Sequence, residues 1–180
     1  MQLWKRAKED TVTDFGWRKI VEKHFVLPDD SEGRFVTDTW GHDNASVVAL
    51  TKENSVVVAK QFRAGPEKIL YELPGGICDG GEAPEVSALR ELKEETGYVS
   101  DTAPVFLGKV CRNGYHNDDA YYYLVTDCYK ANSQELDDTE FIEVVEVGYD
   151  EMEQFAKEGL VSDAAALFIA KDYIQKEKNT

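Results

Sequence analysis

Glu91, Glu94 and Glu95 stand at i, i+3 and i+4 within residues 84–96, a stretch whose pattern predicts a helix, so their carboxylates share one face. Glu82 lies in the run entering that helix, where the chain can fold it back towards the same face, and Arg90 sits one turn before Glu94. Crowded carboxylates repel one another by on the order of a few kcal/mol at close range. Hard oxygen donors gathered in this way are what Mg2+ or Mn2+ binds. A solvated acidic helix face would have the same composition, but the surroundings argue for more. Gly75-Gly76 and Gly80-Gly81 give tight turns and close backbone approach before the helix, and Leu73-Pro74 leads into them from a strand.

The elements that must position these groups can be read from the pattern. Pro84 suits a first helical turn, Val86, Leu89 and Leu92 form an apolar stripe, and Gly97 suits the stop. Strands are predicted over 18–27 and 33–40, joined by the turn-rich Pro28-Asp29-Asp30-Ser31-Glu32, then over 45–50, 55–62 and 69–73. After the helix come strands over 105–111, 120–127 and 142–148. Helices follow over 150–158, ending at Gly159, and over 162–176 with Ser162 as N-cap. Hairpin-linked strands around a central helix, with a helical C-terminus, predict an α/β fold of α+β type, an α/β/α sandwich with a mixed sheet. Residues 1–43 form a separate antiparallel strand element in this reading, and residues 44–180 form the main domain. Tyr121, Tyr122 and Tyr123 alternate on a strand, so at least one of them belongs to the core.

The whole chain sets limits on function. Its 180 residues suit one α/β domain with a small accessory element, and a 42% apolar fraction is that of a folded protein. A net charge of -15 repels nucleic-acid phosphates and anionic lipids, so neither nucleic acid nor a membrane is an expected partner. No apolar run is long enough to span a bilayer. Cys78, Cys111 and Cys128 are widely spaced and His24, His42 and His116 are scattered, which reads as reduced thiols and no His/Cys metal site. The expected compartment is the cytoplasm.

The segment from Gly76 to Tyr98, GICDGGEAPEVSALRELKEETGY, resembles the box of the Nudix family, G-x5-E-x7-R-E-U-x-E-E-x-G-U with U a bulky aliphatic residue. Gly76, Glu82, Arg90, Glu91, Leu92, Glu94, Glu95 and Gly97 match in register, and Tyr98 departs at the last position while still supplying bulk. The resemblance implies a loop–helix–loop that grips metal ions. Glu91 and Glu95 would be the principal ligands, completed by Glu94 and the main-chain carbonyl of Gly75, and Glu82 would bind metal or hold a water. Arg90 would orient the carboxylates, so that Arg90 and Glu94 count among the catalytic set. A retained set of box glutamates argues against a non-catalytic nucleotide-binding module.

Gln61-Phe62-Arg63 and Tyr71-Glu72-Leu73-Pro74-Gly75-Gly76 resemble the corresponding runs of ADP-ribose and nucleoside-diphosphate-sugar pyrophosphatases. The strands around Trp17 to Trp40 are similar to the extra sheet with which those enzymes form swapped dimers, so a homodimer is expected. The acidic run from Leu136 to Glu143 is similar to a loop that supplies their general base, for which Glu140 is the candidate and Glu135 and Asp138 are alternatives. The implied reaction is metal-dependent hydrolysis of a small nucleotide substrate, ADP-ribose or a nucleotide sugar, to a nucleoside monophosphate and a sugar phosphate. ADP-ribose-specific members carry a proline beyond the box where this chain reads Val110-Cys111-Arg112-Asn113-Gly114-Tyr115-His116, which favours a nucleotide sugar or a broader range. Triphosphates, dinucleoside polyphosphates and capped RNA are the alternative substrates. Arg63, Arg112 and Tyr115 are the expected substrate contacts, with a surface ion pair the other reading of Arg63. Trp17 and Trp40 suit either packing or stacking on a base.

Overall fold

The computed structural model describes residues 2–177. Its first layer is an antiparallel sheet of β1 (Lys5–Arg6), β2 (Thr11–Asp14), β3 (Lys19–Val26) and β4 (Glu32–Thr39). β3 pairs with β4 along its whole length, and with β2 and β1 in succession. The expected hairpin is there. Its turn places Asp30 at φ 63°, with the Asp29 carboxylate accepting from the backbone and hydroxyl of Ser31. β1 and β2 were not foreseen, because both are short, polar and exposed and so carry no alternation against a core. Trp4, Phe25 and Phe35 pack together in this sheet, with Phe35 centroids 5.6 and 5.9 Å from the other two.

The main sheet begins with β5 (Asn44–Thr51) and β6 (Ser55–Arg63), and continues with β7 (Lys68–Glu72), β8 (Gly75–Ile77), β9 (Tyr98–Val99), β10 (Val105–Cys111), β11 (Asp119–Lys130) and β12 (Glu143–Gly148). Its order is β10-β11-β5-β6-β12, with β7 on β6, β8 on β5 and β9 on β11. β5 and β11 run parallel, and the other pairs of this sheet run antiparallel, so the sheet is mixed. β5 is buried on both faces, which demands cover on each side. Ala45, Val47 and Ala49 pack towards α1 (Pro84–Glu91), together with Ala88, Leu92 and Tyr123. Val48 and Leu50 pack on the other side with Tyr122, Met152, Leu167 and Ile174, the last three from α2 (Tyr149–Lys157) and α3 (Ala164–Glu177). The architecture is the expected α/β/α sandwich. Because both faces are covered, Tyr122 and Tyr123 are both core residues, on opposite sides of β11.

Two expectations need correction. The helix over 84–96 is not α-helical throughout, since after Glu91 it widens into a π turn over Leu92–Thr96. Ser162 is not the N-cap of the last helix. That helix begins at Ala164, the carbonyl of Asp163 accepts from the N–H of Ala166, and the Ser162 hydroxyl donates to the Asp163 carboxylate. Among the described residues, no helix is long and apolar enough to cross a membrane.

Candidate active site

The catalytic candidates are positioned by the junction of β8, α1 and the π turn. Pro84 opens α1, and buried Ala88 and Leu92 fix the helix against the sheet. A π turn holds more residues than an α turn and recurs at functional sites. Here it leaves carbonyls at its end that the helix cannot satisfy, and the segment after β11 satisfies them. Glu94 O accepts from Glu135 N–H, Glu95 O from the Gln134 side chain, and Gly97 O from the N–H groups of Ala131 and Asn132. That stitching brings the run from Glu135 to Glu140 over the acidic helix. Gly97 closes the turn at φ 74°, where a Cβ would stand 2.2 Å from Asn132 O. Tyr98, the departure from the box pattern, is buried and donates its hydroxyl to Glu146 across 2.5 Å, so the position does pack.

Arg90 is the hub of the carboxylates. Its Nε and Nη2 donate to the two oxygens of Glu82 at 3.1 and 3.0 Å, and its Nη1 donates to Glu91 at 2.9 Å and to Glu94 at 2.8 Å. The guanidinium holds the Glu82 carboxyl below the usual range, and the acids around it raise the Arg90 pKa. Glu95 stands apart from Arg90. It is only 4% exposed, one oxygen accepts from Gly75 N–H at 2.9 Å, and burial pushes its pKa up to about 8, with Glu91 and Glu140 adding to the rise. Burial also raises the Glu91 carboxyl, against the pull of Arg90. Gly76 makes room for this pair, since a Cβ there would lie 2.2 Å from Glu91 Oε1. Among the described residues, no three His, Cys, Asp or Glu side chains stand in metal-ligating arrangement, and Glu91 and Glu94 both accept from Arg90. The donors nevertheless suit a hard divalent cation. Carboxylates whose charge burial disfavours converge against glycine backbone, where a side chain would fill the space.

A cleft of about 880 Å³ opens over these groups. Gly75, Arg90, Glu91, Glu94, Glu95 and Glu140 line it, together with Arg63 and Arg112. Glu82 does not, because Arg90 holds its carboxylate on the far side of the guanidinium, so the structure gives it the place of an anchor for Arg90. Tyr115 also lies outside the lining. Its carbonyl accepts from Asp38 N–H, and the residue is 61% exposed. Of the two alternatives to Glu140, Glu135 lines the cleft and Asp138 does not.

Arg63 is paired with Glu72 across 2.6 Å. Arg112 lies with its guanidinium carbon 4.5 Å from the Trp40 ring centroid. With the Asn44 amide turned so that both its ends are satisfied, the Asn44 oxygen accepts from Arg112 at 2.7 Å. Trp17 lines the cleft while 66% exposed. Apart from Trp17 and Trp40, the far wall carries no sequence signal: it is lined by Trp17 and Arg18 before β3, Asp38 and Trp40 near the end of β4, and Asn113 and His116 beyond β10. Nothing in their spacing marks them, since the wall is assembled from segments far apart in the chain.

The NUDIX domain model matches residues 40–168, most of the chain and all of the box. The chain belongs to the Nudix family. Among its relatives, a methanol dehydrogenase activator of Bacillus methanolicus is 34% identical over 134 residues, which is 74% of this chain and 72% of the other. An ADP-ribose pyrophosphatase of Bacillus subtilis is 33% identical over 131 residues, 72% of this chain and 70% of that enzyme. The yeast ADP-ribose pyrophosphatase is 30% identical over 167 residues, 83% of this chain and 71% of its own. The crystal structure of an ADP compounds hydrolase superposes with a TM-score of 0.82 over 100% of this chain and 98% of its own, at 17% identity, which supports the fold. The resemblance to the ADP-ribose pyrophosphatase subgroup of Nudix hydrolases holds, and the protein is an enzyme of that family.

Proposed function

We propose that this Nudix hydrolase cleaves the diphosphate linkage of a nucleoside diphosphate derivative, ADP-ribose or a nucleotide sugar, to a nucleoside monophosphate and a sugar phosphate. The observation that carries this reading is that one cleft joins the box carboxylates at one end to exposed Trp17 and stacked Arg112 elsewhere on its wall. That combination suits a substrate with both a diphosphate and an aromatic base. Relatives named as ADP-ribose pyrophosphatases, and a GDP-mannose pyrophosphatase of Enterobacter 26% identical over 152 residues, support the substrate class.

Glu91, Glu95, Glu94 and the Gly75 carbonyl would hold Mg2+ or Mn2+. Bound there, the ion supplies neutralisation of the diphosphate oxygens and a more acidic attacking water. Arg90 keeps the carboxylates oriented, with Glu82 fixing the guanidinium from behind. Arg63 and Arg112 bind the phosphates or the base edge, and Glu140 takes the proton of the attacking water. The separate N-terminal sheet, with Val12, Phe15 and Val36 exposed, is the proposed homodimer contact, and sedimentation as a monomer would remove that role. Free thiols at Cys78, Cys111 and Cys128 fit a cytoplasmic setting.

A substrate panel with Mg2+ tests the reading, comparing ADP-ribose, nucleotide sugars, dinucleoside polyphosphates and nucleoside triphosphates. ADP-ribose or a nucleotide sugar is expected to give the highest kcat/KM, with two monophosphate products. Turnover confined to triphosphates would overturn it.

A further inference from the structure

The His116 side chain is only 5% exposed, and it borders the cleft without touching the box carboxylates. Its Nδ1 lies 3.2 Å from Asp38 Oδ1 on β4, and its Nε2 lies 3.4 Å from Asp118 Oδ2 in its own loop. Nε2 is buried with no hydrogen-bond partner of good geometry, and the Asp118 carboxylate is the acidic group beside it. A carboxylate thus faces each ring nitrogen of His116. Those carboxylates are engaged elsewhere as well. Asp38 accepts from Arg18 at 2.6 Å, and Asp118 accepts from the Thr39 hydroxyl and from Trp40 N–H at 2.6 Å.

The backbone follows the same seam. Asp38 N–H donates to Tyr115 O and Asn117 N–H donates to Asp38 O, both at 2.9 Å, a one-residue parallel bridge between β4 and the loop joining β10 to β11. His116 also packs edge-on with Trp40, ring centroids 4.9 Å apart, and Trp40 carries Arg112.

We infer that His116 is a positioning residue, the bolt between Asp38 and Asp118 that holds the N-terminal sheet against the loop after β10 and so sets Trp40 and Arg112 for the substrate. The inference rests on the proposed reaction for its kinetic consequence, but not for the bolt itself. It separates two tasks. The box carboxylates carry the chemistry, and the seam governs how well the nucleotide is held.

The test replaces His116 in the full-length enzyme, as His116→Phe, which keeps a ring without N–H groups, and as the milder His116→Gln. With Mg2+ and the best substrate of the panel, KM is expected to rise about tenfold while kcat stays within about twofold, the pattern of lost binding rather than lost chemistry. An unchanged KM, whether or not kcat falls, overturns the inference while leaving the reaction standing. Hydrogen exchange gives a reading independent of any substrate. The Asp38 and Asn117 amides are expected to exchange faster in the variants, with the amides of β5 and β6 unaltered, and unaltered exchange at Asp38 and Asn117 overturns the bolt. Should His116→Phe fail to fold, His116→Gln decides by the same criteria.

Discussion

Gly75 N–H donates to Glu95 Oε2 across 2.9 Å, tying the glycine strand before the helix to the one box carboxylate that Arg90 does not hold. Buried, bonded only to backbone and pushed up to a pKa of about 8, Glu95 is a poor ion until a cation meets it. Replacing it with Gln removes the proposed metal donor without removing volume. Turnover should fall on the order of 10²–10³-fold, with the thermal midpoint unchanged or higher, as measured by steady-state kinetics and calorimetry on one preparation. Retained turnover would show that Glu95 is not a ligand.

The same carboxyl predicts a pH dependence whose sign changes with metal. The unfolded chain loses the Glu95 proton near 4.5, while the folded, metal-free protein keeps it to about 8. This contribution to stability is therefore complete below pH 4.5 and is lost as pH rises to about 8. Metal binding needs the deprotonated form, so the rise in thermal midpoint on adding Mg2+ should grow from pH 6 to pH 8 and then level off. In Glu95→Gln both trends should flatten. A Mg2+ shift of equal size at every pH would contradict this account.

For the proton of the attacking water, Glu140 is the group to remove. It lines the cleft and lies near enough to Glu91 and Glu95 to raise both of their pKa values. Glu140→Gln should lower kcat roughly 10²–10⁴-fold with little change in KM. Asp138→Asn, outside the cleft, should have no such effect. If Glu135→Gln carries the loss instead, the base belongs to Glu135.

Two glycines separate activity from stability. In Gly76→Ala the new methyl meets the end of the Glu91 side chain, which can yield, so the fold should survive while the metal requirement and kcat worsen. In Gly97→Ala it meets the Asn132 carbonyl at a φ of 74°, neither of which yields easily. That change should cost about 1–3 kcal/mol in urea unfolding. The reverse pattern would mean that the close approaches are wrongly assigned.

Trp17 is exposed in the cleft wall and bears no ring contact with another described side chain, so it is open to stack on a base. Base–aromatic stacking contributes about 1–3 kcal/mol, so Trp17→Ala should raise KM roughly 5- to 100-fold for nucleotide substrates. Trp40 already holds Arg112 and His116. Its replacement should disturb that wall as well as any stacking, and equal, small effects of both replacements would argue against a base at Trp17.

What the sequence reveals is whatever depends on neighbours along the chain. The box and the strands β3 and β4 are local, and the structure places them within a residue or two of expectation. The expected stripe of α1 is shifted, since Val86 is exposed and Ser87 and Ala88 are the residues α1 buries. Glu82 shows the limit of spacing. It lies at the right offset, yet its side chain reaches behind Arg90 instead of into the cleft, a matter of rotamer and partner that spacing does not encode. His116 and Asp38 show a second limit, since they are distant in sequence and meet only because β4 bridges to the loop after β10. The π turn shows a third, because Leu92 to Thr96 has the composition of an ordinary helix, while the segment whose N–H groups cap it lies far along the chain.

That widened turn makes spacing in this stretch as consequential as residue identity. With one end of the helix anchored by the packing of Ala88 and the other by the tight fit of Gly97, the surplus residue of the π turn has no other place to go. A deletion of one residue between Leu92 and Thr96 would let the helix close as a plain α-helix and rotate Glu95 away from Gly75. The fold would tolerate it and the site would not, so relatives that remain active should vary freely at Lys93 yet keep the count of residues between Arg90 and Gly97.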